Sequence, residues 1–497
     1  MSSSVQTRRT FLAASATAAL TQVLPTSKIW ADTRSSENDH LRGSAVTLAR
    51  AIQSRQISSE QAVDACLRRI EEVNPKINAV VTLCRKEALE QARKADDDLR
   101  RGVCRGPWHG VPMTIKDSLD TAGVKTTAGT EGRKDFIPKS NATVVDRLLR
   151  SGAILLGKTN TPEITMDYRT DNLLFGSTKN PYNIAKSPGG SSGGAAAIVA
   201  AGGSPFDVGS DTGGSIRVPS GFCGTAGIKP TSGRVPRTGH IIGFEVGYFE
   251  PLTQLGPIAR HVEDLFPLLK TIAGSDDDDP AVVDMPLLDP EVVDISRLRI
   301  SFHSDNGVLA AVDQVRAAVE SAVSALKNAG CSVEQNCPKP LSRIMDIWHS
   351  SLRSDGGESI KAMLAKAGTK RCHRFLEVYQ ESEPLRGDEF NRFLRHWQEF
   401  RADMHRWFTQ YDAIVCPVNA YASLPVEYPL GELLAGFTYT YAYNLTGWPG
   451  AVVRAGTSPD GVPIGVQIIA RPWREDVCLA VAGHLERVLG GWKMPEL

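Results

Sequence analysis

Residues 187 to 230 read SPGGSSGGAAAIVAAGGSPFDVGSDTGGSIRVPSGFCGTAGIKP, and no other stretch constrains the fold as strongly. Two serines sit among glycines there. Ser191 lies in Gly189-Gly190-Ser191-Ser192-Gly193-Gly194, and Ser215 in Asp211-Thr212-Gly213-Gly214-Ser215-Ile216-Arg217. Glycine lets the backbone take conformations that side chains forbid. It also leaves N–H groups able to point at an anion. A flexible linker would share the Gly and Ser content. This stretch, however, encloses Ala195 to Ala201, an uncharged helix of small residues, and such a helix is buried. The glycines therefore belong inside a domain, where they frame a hydroxyl nucleophile and an oxyanion hole.

Short apolar strands alternate with helices around this core. Strands are expected at Ile77 to Val81, Val111 to Ile115, Ala153 to Leu156, Asp412 to Val418 and Val462 to Ala470. Helices are expected from Ala45, and from a hydroxyl cap within Ile57-Ser58-Ser59-Glu60 to Asn74-Pro75. Others span Lys86 to Arg101, Ala142 to Ser151, Leu309 to Asn328, Phe390 to Gln410 and Arg474 to Leu489. This alternation implies an α/β domain with a mostly buried sheet. The acidic run from Ser275 to Pro290 reads as a surface connection without calcium-ligand geometry. No linker divides the chain, so residues 32–497 read as one domain.

Residues 1–31 stand apart. Thr7-Arg8-Arg9-Thr10-Phe11-Leu12 precedes a weakly apolar, Ala-rich run, the pattern of a twin-arginine export signal ending near Ala31. An exported protein, periplasmic or secreted, is expected. The 56 basic and 56 acidic residues cancel, which leaves no electrostatic footprint for nucleic acid. No run of 18 apolar residues predicts a membrane span. The nine cysteines lack Cys-x-x-Cys spacing, and the ten histidines form no His-Glu-x-x-His. No metal or other cofactor is expected.

Several motifs compete for the chemistry. Gly152 to Thr159 matches the phosphate-loop expression, but its middle residues are apolar and must be a strand rather than a cradle. Asp211-Thr212-Gly213 lacks the second like triplet that a paired-carboxylate protease needs. Gly190-Ser191-Ser192-Gly193-Gly194 satisfies the nucleophile-elbow expression with Ser192 as nucleophile, an esterase reading. No strand pattern precedes it, although an elbow requires one. The alternative base is lysine. Only about one exposed lysine in two thousand is neutral at pH 7, but burial lowers its pKa by roughly 3 to 5 units. Lys116 fits, because it ends the apolar strand that starts at Val111.

These words together resemble the amidase signature family. They are Gly110-Val111-Pro112, Lys116-Asp117, Gly157-Lys158-Thr159-Asn160, Glu163, Asn180-Pro181, the two serine motifs, Asn74-Pro75 with Ile77-Asn78-Ala79, and Gly461-x-Pro463-x-Gly465-x-Gln467. Their order matches the family across nearly all of the chain after residue 31, with a signature core at about 107–260. The tail from Asn444-Leu445-Thr446-Gly447-Trp448 to Trp492 is similar to fatty acid amide hydrolase-like members.

The resemblance implies a central twisted mixed β-sheet covered by helices on both faces. It also implies hydrolysis of a small-molecule amide by a Ser–cis-Ser–Lys triad without a cofactor. On this chain Ser215 becomes the nucleophile, Ser191 the relay after a cis peptide bond, and Lys116 the base. The backbone N–H groups of Thr212, Gly213, Gly214 and Ser215 become the oxyanion hole, while Ser192, Asp211 and Arg217 support it. The acyl pocket is expected around Thr165, Met166, Tyr168 and Phe175 and along the Trp/Phe-rich helix before Gln410. A monomer or homodimer is expected. An exported, catalytically inert binding protein is the non-enzymatic alternative.

Overall fold

The computed structural model describes residues 42–243, 247, 251–428 and 430–497. The twin-arginine segment lies outside the described residues. Eleven strands are found among those described. They are β1 (Val80–Leu83), β2 (Pro112–Lys116), β3 (Ile154–Thr159), β4 (Phe206–Asp211), β5 (Ala226–Lys229), β6 (Gln254–Ala259), β7 (Arg299–Phe302), β8 (Ser332–Gln335), β9 (Ala413–Pro417), β10 (Gly450–Thr457) and β11 (Pro463–Ala470). Eight of them form a sheet in the order β4-β6-β5-β10-β11-β9-β7-β8. The sheet is mixed: β10 runs antiparallel to β5 and β11, while β7 runs parallel to β8 and β9.

The expected single sheet is divided. β1, β3 and β2 make a separate three-stranded sheet, with β2 and β3 parallel. β2 lies beside β4 without a ladder, and Thr114 N–H donates instead to Ser204 Oγ at 3.0 Å. A side chain has taken the bond that a backbone pairing needs.

Helices cover both faces of the large sheet. Ala451, Val453, Val466 and Ile468 join one apolar cluster with the helices Asp313–Asn328 and Glu475–Leu489. Val452 and Ile469 join another on the opposite face, with Val218 and Phe222 of the helix Arg217–Cys223. This is the two-residue alternation of a strand buried on both sides.

Most expected elements form, with informative shifts at their ends. The helix capped by Ser58 shows the full reciprocal box with Gln61, but runs through Pro75 to Ile77. Asn74 then turns the chain: its Oδ1 accepts from Ala79 and Val80 N–H at 2.7 and 2.8 Å. The strand expected from Ile77 therefore starts at Val80. The helix expected from Leu309 starts at Asp313, because the N–H groups of Ala311 and Val312 donate to Ser304 and Ala420 carbonyls. The acidic connection is not all surface. Asp279 turns inward and pairs with buried Arg237 at 2.8 Å. The closing Trp492 packs, donating from Nε1 to Ala200 O at 3.0 Å.

Candidate active site

Two elements deliver three hydroxyls to one buried amine carried by a third. Lys116 ends β2, as its sequence position suggests, and its side chain is fully buried. Its Nζ lies 2.6 Å from Ser191 Oγ, 3.0 Å from Ser192 Oγ and 2.9 Å from Ser210 Oγ. Ser191 and Ser192 stand at the start of the buried helix Gly193–Ala200, and Ser210 is in β4. The Gly190–Ser191 peptide bond is cis. Burial pulls the Lys116 pKa from its usual value to about 7, against the opposing charges of Asp207 and Asp211.

Ser215 lies across from this cluster. Its carbonyl accepts from Ser192 N–H at 3.2 Å. Ser215 is nearly buried and lines a narrow notch of about 30 Å³ together with Thr212, Gly213, Thr165, Met166 and Tyr168. Lys116 and Ser191 are thus within hydrogen-bonding distance. Ser215 faces the notch and forms no closed hydrogen bond to Ser191. Such contacts commonly tighten only when substrate is bound.

The loop from Asp211 to Arg217 is braced from three sides. Arg217 pairs with Asp211 through Nε and Nη2, each at 3.0 Å, and both side chains are fully buried. Arg217 also donates to Gln467 and Asn444. Asn444 donates to Asp211 Oδ1 at 2.8 Å. Burial alone would raise the Asp211 pKa; the Arg217 guanidinium more than reverses this and holds the carboxyl well below the usual range.

Of the four N–H groups expected in the oxyanion hole, Gly214's donates to Asp211 Oδ1 at 2.8 Å. Thr212, Gly213 and Ser215 N–H have no partner among the described residues. The Asp211 carboxylate has taken the fourth donor to fix the loop. Thr440 Oγ1 donates to Gly213 O at 2.7 Å and so sets that peptide's tilt. Gly214 has a φ of +125°, and a Cβ there would lie 2.4 Å from Thr440 Oγ1, so only glycine fits.

Two pocket expectations are corrected. Phe175 does not line the notch; its N–H donates to Asn172 Oδ1 in a turn, and its carbonyl accepts from Asn78. The Trp/Phe-rich helix, Gly387–Phe408, lies one layer back. Its Phe393, Trp397 and Phe400 pack in the core behind the helix Ile344–Leu352. That nearer helix supplies Trp348 and Leu352 to the notch, and Phe375 completes the wall. Thr165, Met166 and Tyr168 do line it.

Ser210, Thr440, Trp348 and Phe375 were missed by the sequence reading. Only Ser210 left a trace, as a third hydroxyl next to Asp211. The esterase geometry is absent: no strand precedes Ser192, and its Oγ, fully buried, donates to Ser210 O at 3.2 Å. Lys158 of the phosphate-loop match sits in β3, as expected of a strand. Among the described residues no His, Cys, Asp and Glu cluster is arranged to hold a metal ion, and no helix is long and apolar enough to cross a membrane.

Comparison with known proteins identifies the family. The Amidase family model matches residues 61–479. An acylamidase of Rhodococcus erythropolis is 35% identical over 463 residues, covering 90% of this chain and 95% of its own length. A glutamyl-tRNA(Gln) amidotransferase subunit of Carboxydothermus hydrogenoformans is 34% identical over 482 residues, covering 89% of this chain and 96% of its own. The solved structure of 6-aminohexanoate cyclic dimer hydrolase complexed with substrate superposes with a TM-score of 0.81 at 27% identity, covering 90% of this chain and 97% of its own. With its signature words assembled around one buried lysine and matched over most of its length, the chain belongs to the amidase signature family.

Proposed function

We propose that this protein hydrolyses a carboxylic amide through an acyl-enzyme on Ser215, with Ser191 as proton relay and Lys116 as base. One observation carries the reading: a fully buried amine brought down to about 7 lies 2.6 Å from the Ser191 hydroxyl, and the N–H of the next residue, Ser192, binds the Ser215 carbonyl at 3.2 Å. A neutral amine has two N–H groups and one lone pair. Ser192 and Ser210 take the N–H groups, and the lone pair faces the Ser191 hydroxyl. As Ser215 Oγ attacks the carbonyl carbon, its proton passes to Ser191 and that of Ser191 to Lys116. The carbonyl oxygen gains charge beside the N–H groups of Thr212, Gly213 and Ser215, each worth roughly 3 kcal/mol in this kind of site. The relay then runs backwards and protonates the leaving amine, and water releases the acyl group by the same path.

The test is a panel of amides with amine release as readout, alongside labelling by a fluorophosphonate. Turnover and labelling at Ser215 are expected, with both lost in Ser215→Ala and turnover retained at a measurable level in Ser192→Ala. Labelling at Ser192, or activity in Ser215→Ala, would reject the assignment. We further propose that Thr7-Arg8-Arg9 directs export of the folded chain. Replacing both arginines with lysine should leave the protein in the cytoplasmic fraction; unchanged export would reject that reading.

A further inference from the structure

Beyond the notch the site opens into a much larger space. A chamber of about 770 Å³ adjoins it and shares the side chains of Trp348, Leu352 and Phe375. That volume suits a body of drug-like size, far larger than a simple acetamide. Its walls are aromatic: Trp348 and Tyr441 stack at 4.1 Å with ring planes 7° apart.

The charges on this chamber are one-sided. Arg169, Arg353 and Arg374 line it, and no acidic side chain does so among the described residues. Arg169 is neutralised by Asp167 at 2.9 Å, and both are buried. Arg353 and Arg374 are exposed and hold no ion pair among the described residues. The two acids that follow Arg353 in the chain are occupied. Asp355 accepts from Gly357 and Ser359 N–H, and Glu358 pairs with Lys361. An apolar chamber with two uncompensated guanidinium groups on its wall favours an apolar body that ends in an anion, because guanidinium binds carboxylate through paired, charge-assisted hydrogen bonds.

We infer that the substrate is an anionic amide. Its scissile group enters the notch at Ser215, its apolar or aromatic body fills the chamber, and a carboxylate carried by that body meets Arg353 and Arg374. This rests on the amidase reading and adds the substrate class. The carboxylate could belong to the acyl part or to the amine part, so the experiment has two arms. The full chain is assayed with suberic acid mono-p-nitroanilide against octanoyl p-nitroanilide. In the second arm it is assayed with N-benzoyl-ω-aminocaproate against N-hexylbenzamide.

In one arm kcat/KM for the carboxylate should exceed that for its neutral partner by about tenfold or more, carried by KM, and the ratio should shrink in about 0.5 M salt. In the Arg353→Gln/Arg374→Gln double variant the ratio should fall to near one. Arg353→Glu/Arg374→Glu should instead favour the ω-ammonium analogue of the same anilide, a gain that misfolding cannot imitate. Cleavage of neutral amides with no carboxylate preference in either arm, or a preference that survives the double variant, overturns this inference alone. Absence of turnover on every amide overturns the proposed function and this inference with it.

Discussion

Lys116 and Lys158 occupy neighbouring pockets. In the register of β2 and β3, Ile115 faces Lys158 and Lys116 faces Thr159. Both amines are fully buried, and burial pulls both down, Lys116 to about 7 and Lys158 to about 8. Their partners differ. Lys158 Nζ donates to the Leu119 carbonyl at 2.5 Å and to Thr121 Oγ1 at 2.6 Å, with Asp117 as the largest opposing charge. It pins the loop that follows β2. Lys116 meets three serine hydroxyls. The carboxylates that pull on it are held elsewhere: Asp207 accepts from Thr159 Oγ1 and Asp211 binds Arg217. A carbonyl can only accept a hydrogen bond, and the Thr121 hydroxyl beside Lys158 donates back to that same Leu119 carbonyl at 3.2 Å, so no relay leads away from it. The Ser191 hydroxyl beside Lys116 can accept one proton and give up another. Burial makes each lysine easier to deprotonate, but the neighbouring group decides whether that is of any use.

The largest test of this contrast exchanges the two lysines in turn. Lys116→Ala should lose about a thousandfold or more in kcat/KM, the scale of a lost general base coupled to a nucleophile, with its far-ultraviolet circular dichroism unchanged. Lys158→Met should keep kcat per folded molecule within about tenfold, because it touches none of the reacting atoms. Equal loss in both, with both folded, would break the comparison.

The pH profile sharpens it. The base works only when neutral, so kcat/KM should rise with pH and level off above a midpoint near 7, the value to which Lys116 is brought. Two units below that midpoint the rate should be down about a hundredfold. A flat profile from pH 5 to 9, or one falling as pH rises through about 7, would exclude Lys116 as the group that titrates.

A smaller effect separates the hydroxyls. Ser210→Ala removes one of the groups that orient Lys116 but none that carries the proton. A loss of about tenfold in kcat with little change in KM is expected, together with a displaced pH midpoint. A wild-type kcat and midpoint would make Ser210 a bystander.

The sequence revealed the catalytic strip better than the chamber, for a physical reason. Lys116, Ser191 and Ser215 lie in words whose glycines and short strands are locally dictated: Gly214 has room for no side chain, and Lys116 simply ends an apolar strand. The brace on Asp211 was half legible, since Arg217 is near in sequence while Asn444 and Gln467 arrive from distant segments. The chamber wall comes from Trp348, Phe375 and Tyr441, on three separate helices whose amphipathic faces look like any other core face. Nothing local distinguishes Phe375, which lines the notch, from Phe175, which sits in a turn. The Trp-rich helix drew attention through its composition, yet it backs the wall rather than forming it. β4 was also missed, because Phe206-Asp207-Val208-Gly209-Ser210-Asp211 is buried throughout yet carries polar Asp207, Ser210 and Asp211, so it does not read as the apolar run of a buried strand.

The smallest effect concerns stability. Lys158→Met removes a buried charge, which favours folding, but leaves the Leu119 carbonyl and Thr121 hydroxyl without their donor. The loss of both charge-assisted bonds, with only the Thr121 Oγ1 to Leu119 O bond at 3.2 Å left between these buried groups, outweighs the gain from removing a partly neutralised amine, so a net loss of about 2 kcal/mol is expected at pH 7. The sign with pH follows from the depressed folded value. Between about 8 in the folded state and 10.5 in the unfolded, the unfolded chain binds more protons, so this group adds to wild-type stability as pH rises. The methionine variant lacks that gain. Its deficit in thermal midpoint should therefore widen from pH 8 to 10, a difference in which the other titrating groups cancel. A gap that stays constant over that range would mean that Lys158 keeps an ordinary pKa, and a gap that narrows would mean a raised one; in either case the two lysines were never alike.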